Sequence, residues 1–186
     1  MSPGRPEAFS TVVGTRFIGS TTEPYRTSRP ELDGFLHEEQ GRGRDACGPF
    51  VWSEADIPRP MARSDSAILM EYLGDRRGPA LALQNVELSH NEVYPIFEQL
   101  MRNVELWLTN NYIHADLSAY NVLYWQGQIS IIDFPQAIDP RFNPNALDLL
   151  TRDIENICHY IARYGLERDG YRIARRLWQR FKNAEL

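Results

Sequence analysis

Tyr112-Ile-His-Ala-Asp-Leu-Ser-Ala-Tyr-Asn-Val-Leu-Tyr124, followed by Ile131-Ile-Asp-Phe-Pro-Gln136, is the stretch whose reading decides the fold. Between two apolar segments that read as buried strands stand His114, Asp116 and Asn121, and Asp133 closes the second segment. Polar and ionisable groups in a dry place are costly unless they are partnered or put to use. Val122-Leu-Tyr-Trp125, Gln126-Gly127 and Gln128-Ile-Ser-Ile-Ile132 read as a hairpin with a tight glycine turn. Closing that hairpin brings Asn121, at the start of one strand, beside Asp133, at the end of its antiparallel partner. Two oxygen donors then meet, as a hard divalent cation requires.

The two motifs, His-Ala-Asp-Leu-Ser-x-Tyr-Asn and Ile-Asp-Phe-Pro-Gln, resemble the catalytic and metal-binding segments of the RIO family of atypical serine/threonine kinases, which are related to ribosome maturation. Ordinary protein kinases carry Arg before the catalytic Asp and Phe-Gly after the metal-binding Asp. This chain has Ala115 and Phe134-Pro135 at those places, as RIO proteins do. The resemblance runs from about Ile57 to the C-terminus. It implies an α+β, protein-kinase-like fold with a mostly helical C-terminal lobe and a reduced N-terminal β lobe. In those terms residues 1–48 are a divergent or poorly ordered segment, 49–73 a remnant of the small lobe and hinge, and 74–186 the large lobe.

The same resemblance assigns roles. Asp116 orients the acceptor hydroxyl, while Asn121 and Asp133 hold Mg²⁺. His114 and Ser118 support the loop. Ser66 to Gly74 reads as an apolar strand ending at glycine, either an ordinary buried strand or the hinge between lobes. As the hinge, it puts Met70 beside the adenine pocket and the backbone of Glu71 to Leu73 on the purine edge. RIO proteins resemble ATPases as much as kinases, and in the family the metal-binding Asp can itself receive phosphate.

Plainer readings compete with these roles. Asp116 between Ala115 and Leu117 also suits a loop cap for neighbouring N–H groups. Ser118 has no His-Asp arrangement of a hydrolase and no G-x-S-x-G elbow around it. Gly41-x-Gly43-x-x-Ala46 fits a glycine-loop pattern, but His37-Glu-Glu-Gln40 before it is not strand-like, so it reads as a flexible loop.

A chain of 186 residues suffices for one domain with a real core. Its formal charge of −5 offers no global positive field for nucleic acid or anionic membrane, so any RNA contact has to be local. Cys47 and Cys158 lack C-x-x-C spacing, which suits a reduced, cytoplasmic protein. There is neither a signal-peptide pattern nor a run of about 18 uncharged apolar residues, so a soluble protein is expected.

Of the 20 cationic side chains only Lys182 is lysine. A working kinase holds the ATP phosphates with a lysine on an early strand, under a glycine-rich loop. Arg16, Arg26, Arg42 or Arg44 would have to serve here, and arginine does not replace a buried lysine conservatively. Loss of such a clamp costs on the order of a hundredfold in rate.

Residues Ser2 to Pro30 are rich in Gly, Pro, Ser, Thr and Arg. Val93, Ile96, Phe97, Leu100, Val104, Trp107 and Leu108 mark one face of a long helix capped at Ser89 or Asn91, with Pro95 in its first turn. Asn143-Pro144 starts a second helix that Gly165 can end, and a third runs from Gly170 to about Asn183 with a row of solvated arginines.

The expected function is a RIO-like protein serine/threonine kinase or ATPase that transfers the γ-phosphoryl group of ATP with Mg²⁺. One alternative is a catalytically impaired pseudokinase that still binds nucleotide, favoured by the missing lysine. Another is a small-molecule phosphotransferase of the aminoglycoside or choline kinase kind, against which Pro135-Gln136 and Arg152-Asp153 count. ATP is the expected partner, and the resemblance alone implies a ribosome-related one.

Overall fold

The computed structural model describes residues 54–63 and 68–186. The expectations for residues 1–48, including the Gly41 pattern and the substitute arginines, lie outside the described residues. Among the described residues two short antiparallel strand pairs come first. Strand β1 (Pro60–Arg63) pairs antiparallel with β2 (Ile68–Met70), and β3 (Gly74–Asp75) pairs with β4 (Gly78–Pro79). Gly74 is required at this corner: its φ is +143°, and a Cβ there would lie 2.5 Å from the Gly78 carbonyl oxygen. Strand β5 (Leu81–Ala82) then runs into a 3₁₀ turn at Leu83–Asn85.

Helix α1 (His90–Thr109) buries Val93, Ile96, Phe97, Leu100, Val104, Trp107 and Leu108, the stripe expected from their spacing. Fully burying a side chain of this kind contributes about 1.5–3 kcal/mol before entropic costs. At the N-cap, the Ser89 amide and hydroxyl donate to the Glu92 carboxylate at 2.9 and 2.5 Å. The helix begins at His90, so Pro95 stands in its second turn rather than its first. Its missing N–H therefore removes one bond to the Asn91 carbonyl. The helix ends in a left-handed residue, Asn111 at φ +62°. Asn111 N–H bonds Leu108 C=O at 3.0 Å and Tyr112 N–H bonds Trp107 C=O at 2.8 Å, a closing pattern that turns the chain into the loop carrying His114 and Asp116.

Strands β6 (Val122–Trp125) and β7 (Gln128–Ile131) form the expected hairpin, with Val122 opposite Ile131 and Trp125 opposite Gln128. Gln126 and Gly127 take φ of +50° and +82°, the pair of positive values a two-residue turn needs. Strand β5 joins the outer edge of β6, completing a three-stranded sheet in the order β5-β6-β7.

Helix α2 spans Ala146–Ala162, starting later than Asn143-Pro144 suggests. The Asn143 side chain instead accepts the Asn145 N–H at 2.8 Å and makes the turn that precedes the helix. Helix α3 (Gly170–Lys182) packs across α2 and is capped by Asp169, which accepts the Arg172 N–H at 2.9 Å. Side chains from α1, the loop, the β6–β7 hairpin and α2 meet in one core, with Leu100, Ile113, Leu117, Ile131 and Ile157 at its centre. Among the described residues no helix is long and apolar enough to cross a membrane.

Candidate active site

The loop from Tyr112 to Asn121 lies between α1 and the β6–β7 hairpin and rests on α2. Ala115, immediately before Asp116, is buried at φ +63°. A non-glycine residue held in that region costs on the order of 1–3 kcal/mol, which its surroundings must offset. Helix α2 supplies the offset. The Asp153 carboxylate accepts the Ala115 N–H at 2.8 Å and the Leu117 N–H at 2.9 Å. Arg152 donates to the Ala115 carbonyl, and Asn156 donates to the Leu117 carbonyl at 3.1 Å. Asp116 is thus displayed by a backbone gripped on both sides.

Asp153 is 2% exposed. Burial pushes its carboxyl up to about 7, against the two amides and Arg152, which pull it down. Nothing in the periodicity of α2 distinguishes it from a polar residue tolerated beside Leu150 and Ile154. A carboxylate in the apolar stripe of a helix is the signal that something polar must come to meet it.

Asn121 donates from Nδ2 to the Asp116 carbonyl at 2.8 Å, with the Asp116 carboxylate at 3.4 Å. A carbonyl only accepts, so the amide nitrogen must face Asp116 and Oδ1 remains as an oxygen donor to a ligand. Ser118 enters through its backbone, its carbonyl accepting the Asn121 N–H at 3.0 Å. Asp133 follows β7 at φ +70° and is exposed. Its carboxyl is raised above the ordinary value, first by partial desolvation and then by the Asp116 charge.

His114 is buried, and Nε2 lies 3.1 Å from the Ile132 carbonyl, which fixes that nitrogen as the protonated one. Burial lowers its pKa to about 4, so the ring is neutral near pH 7. It lies tilted against both Trp107 and Phe134, with centroids at 5.8 and 4.5 Å, and Trp107 meets Phe134 edge-on at 5.3 Å, so the three rings form one cluster. The ring braces the loop against the residue that follows Asp133. Its Nδ1 has no hydrogen-bond partner among the described residues.

Met70 ends β2, half-buried, and the chain continues through Glu71, Tyr72 and Leu73 without regular structure. Glu71 N–H donates to Arg59 C=O and Leu73 C=O accepts from Ala80 N–H, both at 2.8 Å. These two groups are spent within the fold. Among the described residues the Glu71 C=O, the Tyr72 N–H and C=O, and the Leu73 N–H make no main-chain hydrogen bond.

Asn121 and Asp133, with Asp116 bonded beside Asn121, carry oxygen donors of the kind a hard cation such as Mg²⁺ takes. No group of three His, Cys, Asp or Glu side chains able to hold a metal occurs among the described residues, so the set depends on the Asn121 carboxamide.

Comparison with known proteins finds a likeness of fold and of sequence. The solved structure of the Rio2 kinase–ADP/Mg²⁺–phosphoaspartate complex from Chaetomium thermophilum superposes with a TM-score of 0.54 over 67% of this chain and 40% of that one, at 23% identity, a likeness of fold. The RIO-type serine/threonine-protein kinase Rio1 of Thermoplasma acidophilum is 33% identical over 112 residues, covering 60% of this chain and 57% of the relative. The corresponding Rio2 of Methanocaldococcus jannaschii is 31% identical over 161 residues, 86% of this chain and 57% of the relative. The chain therefore spans little more than half the length of these curated relatives. The model of the RIO domain matches residues 51–173, from the connector before β1 to the first turn of α3, and the chain belongs to the RIO family.

Proposed function

We propose that the chain is an ATP-dependent phosphotransferase of the RIO type, acting on a serine or threonine hydroxyl or on water. The observation that carries this reading is the Asn121 amide nitrogen bonded to the Asp116 carbonyl, which leaves Oδ1 to act as a ligand, with the Asp116 charge felt by the Asp133 carboxyl. Asp116 orients the acceptor and takes up its proton as the bond to phosphorus forms. Asn121 and Asp133 would hold Mg²⁺. When bound, the ion supplies positive charge against the phosphate oxygens. Glu71 C=O and Leu73 N–H bind the purine edge, with Met70 against its face. His114 stays neutral and carries no proton in the reaction; it keeps the loop and Phe134 in register. Residues 49–73 are read as small lobe and hinge, and 74–186 as large lobe.

Within this reading Asp133 is exposed enough to accept a phosphoryl group itself in an ATPase cycle, and the phosphoaspartate named for the Rio2 relative supports that branch. The second reading, a nucleotide-binding pseudokinase, is favoured by one fact. The only lysine, Lys182, is exposed at the end of α3.

The test is turnover of labelled ATP with Mg²⁺ by the parent chain, Asp116→Asn and Asp133→Asn. At least about a hundredfold loss in each variant is expected. Thermal stabilisation by nucleotide without turnover in the parent would establish the pseudokinase instead.

A further inference from the structure

Asp56, on the connector that precedes β1, makes four hydrogen bonds to elements far from it in sequence. Its N–H donates to Asn103 Oδ1 at 2.7 Å, and its carboxylate accepts from Asn103 Nδ2 at 2.7 Å and from Arg102 at 2.6 Å. Its carbonyl accepts the Ile131 N–H at 2.7 Å. Asn103 is fully buried in the middle of α1 and spends its remaining amide hydrogen on the Gln99 carbonyl at 2.8 Å. A buried carboxamide with three bonds met, two of them to one residue, is built to hold that residue.

What Asp56 holds in turn is the end of β7. Ile132 N–H turns inward to the Asn121 carbonyl at 2.9 Å, and Ile131 N–H turns outward to Asp56. The last two residues before Asp133 are thus fixed on opposite edges. One hold comes from the hairpin and the other from the connector that continues into β1 and, through it, to the Met70–Leu73 segment. Glu71 N–H returns to Arg59, three residues beyond Asp56, so the near end of the purine-facing segment is referred to the same short stretch, while its far end is tied to Ala80.

We propose that Asp56, seated by Asn103 and Arg102, is a positioning residue that sets Asp133 for its cation and ties that placement to the purine-facing segment. This rests on the phosphotransferase reading above. Asp56 touches neither cation nor nucleotide; it acts through the Ile131 amide. Partners that orient a metal ligand without touching the metal are worth roughly tenfold to a hundredfold in affinity.

The experiment uses the full chain and three variants: Asp56→Ala, Asp56→Asn, which keeps an acceptor for Asn103, and Arg102→Ala at an exposed position that leaves the buried bonds. ADP affinity is measured by calorimetry with Mg²⁺ and with EDTA, and amide hydrogen exchange is followed at Ile131 and Ile132. Asp56→Ala is expected to speed exchange at Ile131 and to weaken Mg²⁺-dependent ADP binding about tenfold while leaving metal-free binding unchanged. Asp56→Asn should recover most of that loss, and Arg102→Ala should lose least. Unchanged exchange at Ile131 overturns the proposal, and so does faster exchange with ADP binding lost equally with and without Mg²⁺. If Asp56→Ala does not fold, Asp56→Ser, whose short hydroxyl removes the carboxylate from Asn103 and Arg102, takes its place, and parent-like exchange and ADP binding in it overturn the proposal. A parent chain that binds no ADP overturns the phosphotransferase and pseudokinase readings alike, and this proposal with them.

Discussion

The loop from Tyr112 to Asn121 and the segment from Ile68 to Ala80 face the same proposed ligand and are held by different means. The loop is gripped by buried side chains of another element: Asp153 and Arg152 on Ala115, Asp153 again and Asn156 on Leu117. The segment is held chiefly by main-chain bonds, Glu71 to Arg59, Ala80 to Leu73 and the two-residue ladder of β3 and β4, with its side chains adding local bonds such as Asp75 to the Arg77 N–H at 2.7 Å. A group that must meet a reacting atom needs placement to a fraction of an ångström, which rotamer-locked side chains provide. A purine edge read by backbone groups needs only the right chain path. The loop should therefore fail through single side-chain changes, and the segment only where a change obstructs the backbone.

The largest expected effect is at the grip itself. Asp153→Ala leaves two buried amides without acceptors and should cost about 2–6 kcal/mol, at about 1–3 per orphaned donor. Urea denaturation measures it, and turnover should fall with it because Ala115 is released.

The second effect is a matter of pH. Asp153, raised by burial to about 7, keeps a proton in the folded state that the unfolded chain gives up above about pH 4. Its contribution to stability falls as pH rises from about 4 to about 7. His114, lowered by burial to about 4, has the opposite sign: the unfolded chain holds the extra proton between about 4 and 6.5, so stability rises with pH across that window. The two tilts oppose each other, and the parent should show a shallow profile between pH 4 and 6.5. Asp153→Asn should expose the rise, and His114→Gln the fall. Parallel slopes in all three proteins would contradict both assignments.

On the segment side, Gly74→Ala sets a Cβ against the Gly78 carbonyl at a positive φ and should cost roughly 1–3 kcal/mol, with weakened ADP binding. The smallest effect belongs to the surface pair of Arg141 with Asp139, at 2.6 Å but with more than half of the arginine side chain in solvent. Arg141→Ala should change the unfolding free energy measured in urea by no more than about 1 kcal/mol.

Much of the fold is legible in the sequence because its longest elements are periodic. The recurrence from Val93 to Leu108 marks α1, and Gln126-Gly127 between apolar runs marks the β6–β7 hairpin with its register. The hairpin in turn sets Asn121 and Asp133 at neighbouring strand ends, through the bond from Ile132 to Asn121. The elements between Gly74 and Leu88 are strands of two residues, too short for a two-residue period to show. The start of α2 is displaced because Asn143 satisfies a turn with the same side chain that would have capped a helix. Least legible are the contacts that brace the site. Asp153 meets amides 36 and 38 residues away, and Asn103 meets an aspartate 47 residues away. Each residue alone reads as a polar interruption in an apolar stripe, and only the third dimension supplies its partner.

The scarcity of lysine has a practical side. With nineteen arginines among the twenty basic side chains, Lys182 is the one side-chain primary amine, and it sits in solvent at the last position of α3. Once the less basic backbone α-amine has been blocked near neutral pH, a succinimidyl dye or biotin reagent at alkaline pH therefore decorates a single defined spot. The protein can be tethered or made fluorescent there in known orientation, while an acyl-phosphate nucleotide probe finds no amine to acylate between residues 54 and 181.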